Sequence, residues 1–320
     1  MRALYRLLMP AERFILDITL AAAAIDAVSL GIKGVGIDAA SYCITNLAAA
    51  GLVALGLFYR KLARSQRIAA ALICTGLFVG FSLWLATFNY LLMPIQRPLI
   101  DPFLAHLDHT LGYRWADAVG LAARHPEINQ LLKWIYGSTL AQMAGLIVLL
   151  GLTGRTRDLH AMCVTTCIGA VLAVVWWGLF PSIGAAWLLP HPSPDILAAA
   201  KPLLGVEWGM EYHRIVREGV DFISPGDIQG LIAFPSFHTV MACVLIYFAR
   251  NLGRIFLAVF AVNILMFPAL LVHGSHHLVD IPGGLAVFFV ALAFAHRIVG
   301  SEQNRDSTSD LVVPAVVSTR

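Results

Sequence analysis

The sequence predicts an all-α, polytopic integral membrane helix bundle. Three observations predict it. Of the 320 residues, 59% are hydrophobic and only 13% charged, with mean hydropathy +0.77; soluble domains average about 25% charged residues. Several apolar runs reach the roughly 20 residues that span a bilayer core. The cations between those runs gather in short connections that fall on one side when the runs are taken as crossings. The net charge of +3 is small, and the chain carries no nucleotide-binding glycine loop, heptad seam, internal repeat or nucleic-acid motif. The expected partner is therefore the bilayer, with no nucleic acid.

In order, the predicted segments are 14–30, 42–59, 68–93, 131–152, 161–179, 237–249, 255–272 and 281–298. The first follows Arg2, Arg6 and Arg13 and is interrupted by Asp17 and Asp26, which does not suit a cleaved signal peptide, so a retained helix is expected. The first two segments form an N-terminal pair (1–67), the other six a catalytic membrane domain (68–300), and the polar stretch 301–320 a disordered cytoplasmic tail. Arg60, Lys61, Arg64 and Arg67 lie in the second connection, Arg155 and Arg157 in the fourth, Arg250 and Arg254 in the sixth, and Arg297 at the end of the last segment. Eight crossings put all of them on one side with the basic N-terminus, which makes that side the cytoplasm of a cell (inner) membrane; seven crossings split the pattern. The long connections 94–130 and 181–233 and the short one at 273–280 then lie outside. The second long connection is rich in Trp and Pro, which suits short helices at headgroup level. Cys43, Cys74, Cys163, Cys167 and Cys243 all fall in apolar runs without a Cys-x-x-Cys pair, so no disulfide framework is expected.

The chemistry-bearing stretches are Phe234-Pro235-Ser236-Phe237-His238-Thr239 and His276-His277-Leu278-Val279-Asp280, each between an outside connection and an apolar segment. Pro235 suits the first turn of a helix, Ser236 suits its cap, and the free amides of such a helix start attract phosphate. The bland alternative is a proline-started helix with an interfacial histidine. His276 and Asp280 are four apart; whether helix or loop, the carboxylate reaches the imidazole, fixes its tautomer and leaves the other nitrogen free to attack. Two histidines and a carboxylate suffice for phosphoryl transfer without a metal: one attacks phosphorus, the carboxylate orients it, and the other protonates the leaving oxygen. His238, His273, His276, His277 and Asp280 could alternatively ligate zinc.

Pro235-Ser236-x-His238 and His276-x-x-x-Asp280 resemble the second and third signature motifs of the type-2 phosphatidic acid phosphatase superfamily. Phe-Pro-Ser-Phe-His, with His-His-Leu-Val-Asp and then Gly283-Gly284, is most similar to the branch containing inositol phosphorylceramide synthases. The resemblance covers roughly residues 90–284 and implies a metal-independent lipid phosphatase or phosphotransferase with no cofactor. It implies His276 as nucleophile, Asp280 as its orienter and His238 as general acid. The first motif of that superfamily is Lys, six residues, then Arg-Pro; Arg97-Pro98 is present but Tyr90 stands at the lysine, and Ala269-Leu270 stand where many lipid phosphatases carry Ser-Arg. Two cations are thus missing. Arg97, Arg214 and Arg217 are the expected replacements, with Ser236 and Asp101 completing the substrate-binding set. For Arg214 and Arg217 the alternative is local pairing with Glu211 or Glu218.

The expected function is transfer of a phosphate or phospho-headgroup from a lipid phosphoester, at the non-cytoplasmic face, to water or to a lipid or polyol alcohol. Two alternatives stand beside it: a transporter or flippase-like protein using Asp17 and Asp26, and an inactive lipid-binding relative, motivated by Tyr90 and Leu270.

Overall fold

Side-chain caps set several helix starts. Asp38 Oδ1 accepts from the Ser41 amide at 3.1 Å, Ser65 Oγ from Ile68 at 3.3 Å, and Ser236 Oγ from Thr239 at 3.3 Å, each taking one of the amides a helix start leaves unpaired. The computed structural model describes residues 5–309, with side chains described as far as Gly300. Its helices are α1 (Pro10–Lys33), α2 (Ala39–Lys61), α3 (Gln66–Leu91), α4 (Asp101–Thr110), α5 (Trp115–Arg124), α6 (Pro126–Gly137), α7 (Thr139–Leu152), α8 (Thr156–Leu179), α9 (Pro194–Ala200), α10 (Val206–Glu218), α11 (Phe237–Ala249), α12 (Arg254–His273) and α13 (Asp280–Ser309). Two-residue strands β1 (Gly36–Ile37) and β2 (Phe222–Ile223) pair in parallel. The protein is an all-α helix bundle.

Among the described residues, six helices are long and apolar enough to cross a membrane: α1, α2, α3, α8, α12 and the Asp280–Gly300 part of α13. The segment predicted as continuous over 131–152 is instead the pair α6 and α7, bent by 51°, which makes a seventh crossing if taken as one span. The bend has a local cause. Ser138 Oγ donates to the Ile135 carbonyl at 2.7 Å and Thr139 Oγ1 to that of Tyr136 at 3.1 Å, so hydroxyls occupy the acceptors of the interrupted turn. The sixth predicted segment, α11, has 13 residues; at about 1.5 Å per residue it spans roughly 20 Å, short of the ~30 Å hydrocarbon core. α13 runs nine residues into the stretch expected as a disordered tail, since no proline interrupts the sequence before Pro314. Residues 310–320, the rest of that expectation, lie outside the described residues.

α1 and α2 pack along α3, and α1 also meets α8. Small residues let these backbones approach: a Cβ on Gly76 of α3 would lie 2.5 Å from the Ala49 carbonyl of α2. Both long connections form short helices, α4 to α5 in the first and α9 to α10 in the second. They converge at one end of the bundle: the Ile100 amide donates to the Pro181 carbonyl, Ile95 to Val216, Leu204 to His273 and Ala185 to Ser275. The β1–β2 pair ties the connection between α1 and α2 to the same end.

Candidate active site

The site grows from two turns. Phe234 leads into α11, its amide donating to Ser182 Oγ at 2.7 Å. Ser236 is fully buried, caps α11 through its hydroxyl, and donates its own amide to the Asp280 carbonyl at 3.2 Å. His238, the second residue of α11, stacks on Tyr136 with ring centroids 4.4 Å apart at 21°. The second turn follows α12. Residues 274–279 form a loop rather than a helix, and Asp280 opens α13. Asp280 Oδ2 accepts from His276 Nδ1 and from the His277 amide, both at 2.9 Å. The rings of His238 and His276 lie 6.2 Å apart, edge to face.

Glycine makes the junction of the two turns possible. A Cβ on Gly284 of α13 would lie 2.5 Å from the Ser236 carbonyl and 2.6 Å from Thr239 Cβ. Only a hydrogen at that point lets α13 reach the start of α11.

His277 has a different environment from its neighbour. Its Nδ1 lies 2.9 Å from Asp108 Oδ2, and its Nε2 3.5 Å from Asp101 Oδ1, at ion-pair distance but long for a hydrogen bond. Burial alone would lower its pKa; contact with the Asp101 and Asp108 carboxylates outweighs burial and raises it to about 10, so the imidazolium is the resident form at neutral pH. Asp108 also accepts from the Leu278 and Val279 amides at 3.2 Å, and Asp101 from Ile183 at 3.0 Å and Gly184 at 2.7 Å. The three residues thus fasten α4 to the turn carrying His276 and to the start of the second long connection.

His238, His276 and Ser275 open on a cavity of about 470 Å³. Its walls are mainly apolar: Phe78, Phe81 and Leu85 of α3, Leu140 of α7, and Trp208 of α10. Asn89, Gln229 and Tyr212 add polar atoms; the Tyr212 hydroxyl and the Asn89 side-chain oxygen are buried with no partner among the described residues. Among the described residues, no Lys, Arg, Asp or Glu lines it.

The structure brings together His238, His276, Asp280 and Ser236. It does not bring the arginines. Arg97 is exposed and donates to the Leu179 carbonyl at 3.1 Å. Arg214 grips Glu211 at 2.6 and 2.9 Å and Glu218 at 3.0 Å, the local pairing weighed from the sequence. Arg217 donates to the Ile95 and Arg97 carbonyls. Three local demands for a donor capture these guanidiniums before the cavity can. Asp101 holds backbone amides and His277 rather than Arg97. Tyr90, at the missing lysine, is buried and accepts the Gln229 amide at 3.0 Å, and Leu270 is fully buried. The zinc-ligand alternative loses members: His273 faces the Asn129 carbonyl at 3.1 Å and His277 faces its two carboxylates. Asp17 accepts from Tyr5, Asp26 is buried in α1, and neither lines the cavity. Nothing in the sequence around Asp108, Tyr136 or Ser182 marks them, because their partners lie from 52 to 171 residues away.

Fold and site together define a membrane helix bundle with two histidines and a buried carboxylate gathered over an apolar cavity. The family model of the PAP2 superfamily matches residues 102–294, well over half of the chain, and the chain belongs to that superfamily, whose members are generally phosphatases. The match begins within α4, so α1 to α3, Arg97 and Asp101 lie outside it. No curated protein and no solved structure matches the chain.

Proposed function

We propose that this protein transfers a phosphoryl group or phospho-headgroup from a membrane lipid phosphoester, through a phosphohistidine on His276, at the non-cytoplasmic face. The observation that carries the reading is the 2.9 Å contact of His276 Nδ1 with Asp280, made beside His238 on one cavity. With Nδ1 donating to the carboxylate, Nε2 holds the free lone pair. Nε2 attacks phosphorus, the phosphorus–oxygen ester bond breaks, and the departing oxygen takes a proton from His238. Water or an alcohol then attacks the phosphohistidine, gives its proton to His238, and the phosphorus–nitrogen bond breaks. Protons and charge balance over the cycle without another reactant.

The apolar walls suit acyl chains, and the start of α11 at Phe237 and His238, both on the cavity, suits the phosphate oxygens, with Ser236 behind them as the cap. An alcohol acceptor is favoured over water by the resemblance to the inositol phosphorylceramide synthase branch and by the apolar cavity. The deciding experiment incubates purified protein with phospholipids and lipid phosphates, with and without diacylglycerol, ceramide or inositol, and identifies products by mass spectrometry. A wild-type preparation that converts none of them, or converts them equally after His276→Ala, defeats the proposal.

A further inference from the structure

The cavity beside the histidines also reaches the side of the bundle. Away from the histidines, α3 and α7 touch backbone to backbone: a Cβ on Gly151 of α7 would lie 2.6 Å from Ala71 Cβ and 2.9 Å from its Cα. Leu140 of α7 and Ser82 of α3 each lie eleven residues from that contact, about 16 Å along a helix, and so stand at one level nearer the histidines. Here the cavity lies between the two helices, since both residues line it. Both are also exposed, Leu140 to 70%. Leu140 shares a stripe with Val148 and Leu152, exposed at helical spacing, which α7 turns towards the hydrocarbon. Gly137, the last residue of α6, completes the rim: it is exposed, lines the cavity, and a Cβ on it would meet no atom within 4 Å. The 51° bend that follows it turns α6 out of line with α7 and leaves this space open.

We propose that the cleft between α3 and the α6–α7 bend is the entrance through which an acyl chain of a bilayer lipid passes sideways into the cavity; the proposal rests on the phosphoryl-transfer reading for what then happens to the headgroup. Three features fix the occupant. The rim is carried by α3, which is long and apolar enough to span the bilayer, and by the outward stripe of α7, so what stands against it in a membrane is hydrocarbon. Among the described residues, the cavity behind the rim has no Lys, Arg, Asp or Glu on its walls, which suits a chain and not a polar solute. Its depth also matches. The α3 residues that line it run from Phe78 to Asn89, again about 16 Å along the helix, close to half of the ~30 Å hydrocarbon core. A chain standing in it stays at the depth of its own leaflet, with its ester end beside His276 and its methyl end towards Phe78. Sideways entry keeps the methylenes out of water throughout.

The test follows a lipid without depending on turnover. Full-length protein is placed in vesicles of phosphatidylethanolamine and phosphatidylglycerol that contain phosphatidylethanolamine with a diazirine in its acyl chain. After irradiation, the labelled positions are mapped by mass spectrometry. Phe81 and Leu85, buried on the cavity wall, should be labelled along with the outward Val148 and Leu152. Gly137→Trp should lose the label at Phe81 and Leu85 and keep it at Val148 and Leu152. Gly145→Trp, at a position of α7 that also has no atom within 4 Å of a Cβ but does not line the cavity, should keep both. If Gly137→Trp fails to fold, Ser82→Trp narrows the same mouth from α3. Wild-type protein labelled only at Val148 and Leu152 overturns the proposal, as does interior labelling that is undiminished in a folded rim variant or lost equally in Gly145→Trp. Interior labelling that the rim variant removes, in a protein that converts no lipid, upholds the entrance and counts against the phosphoryl-transfer reading alone.

Discussion

His276 and His277 are neighbours in sequence and opposites in chemistry. His276 spends one nitrogen on Asp280 and keeps the other towards the cavity, while His277 is enclosed by Asp101 and Asp108. His276→Ala should therefore lower turnover by at least about 10⁴-fold, the scale seen when a nucleophile is removed, and Asp280→Asn by on the order of 10²–10⁴-fold through the wrong tautomer. His238→Ala should cost far less on p-nitrophenyl phosphate, whose leaving group needs no proton, than on a lipid phosphoester; equal losses on both would remove its role as acid. His277→Gln tests the other environment through stability. The folded pKa of about 10 lies above the ordinary ~6.5. The stabilising contribution is then complete below about pH 6.5 and is lost as pH rises through about 10. The Tm of the wild type should fall across that window more steeply than that of His277→Gln; parallel curves count against a charged His277. The His276–Asp280 pairing was legible because its two members are four residues apart, and Ser236 because capping is local. Asp108 was not, because nothing near position 108 indicates that α4 will meet residues 277–279. The arginines misled for a related reason: a missing cation states a need, but local carbonyls and carboxylates decide where a guanidinium goes.

At the scale of elements, the site depends on how closely α13 approaches the start of α11. Gly284→Ala places a methyl group 2.5 Å from a backbone carbonyl that cannot yield without moving Ser236. Overpacking of this kind costs about 1–3 kcal/mol. The variant should melt at lower temperature, and its kcat should fall more than its folded fraction does, since the strain separates His238 from His276. Unchanged kcat in fully folded variant protein is the result that sinks this account. The start of α11 was readable from sequence in Pro235 and its cap Ser236. The bend between α6 and α7 was not, because 131–152 is continuously apolar and the interruption lies in hydroxyls returning to carbonyls at Ser138 and Thr139. That bend matters to the site: Tyr136, on the last turn of α6, is the face on which His238 stacks. For the short helix α11, length alone decided less than its cap, which makes it the support of one histidine.

For the whole molecule, sidedness comes first. The cation-rich connections and the histidines occupy opposite ends of the bundle, and with eight crossings, α11 included, the positive-inside rule predicts that the histidine end is external. In intact cells, a cysteine replacing exposed Met210 should react with an impermeant thiol reagent, and one replacing Arg64 should not; the reverse pattern would invert the topology. The same separation leaves the cavity without cationic side chains, and charge then bears on the choice of substrate. A phosphomonoester carries about −1.5 to −2 near pH 7, with its second ionisation near pH 6, while a phosphodiester carries a single negative charge. Burial and the neighbouring His276 push the His238 pKa down to about 3, so it takes up its proton together with the substrate; the one positive charge it then offers balances a diester and leaves a monoester dianion short of a partner in an apolar site, at a cost of several kcal/mol. Phospholipid diesters should therefore have the higher kcat/KM at pH 7. Both substrates meet the same His276, so its contribution cancels in the ratio of their rates. The monoester-to-diester ratio should rise as pH falls through about 6, where the monoester becomes monoanionic. Gln229→Lys, at an exposed position on the cavity wall, should raise the ratio at pH 7 by supplying the missing charge. Initial rates on a matched lipid pair across pH would measure it, and a ratio that ignores both pH and the added lysine would show that charge balance does not select the substrate.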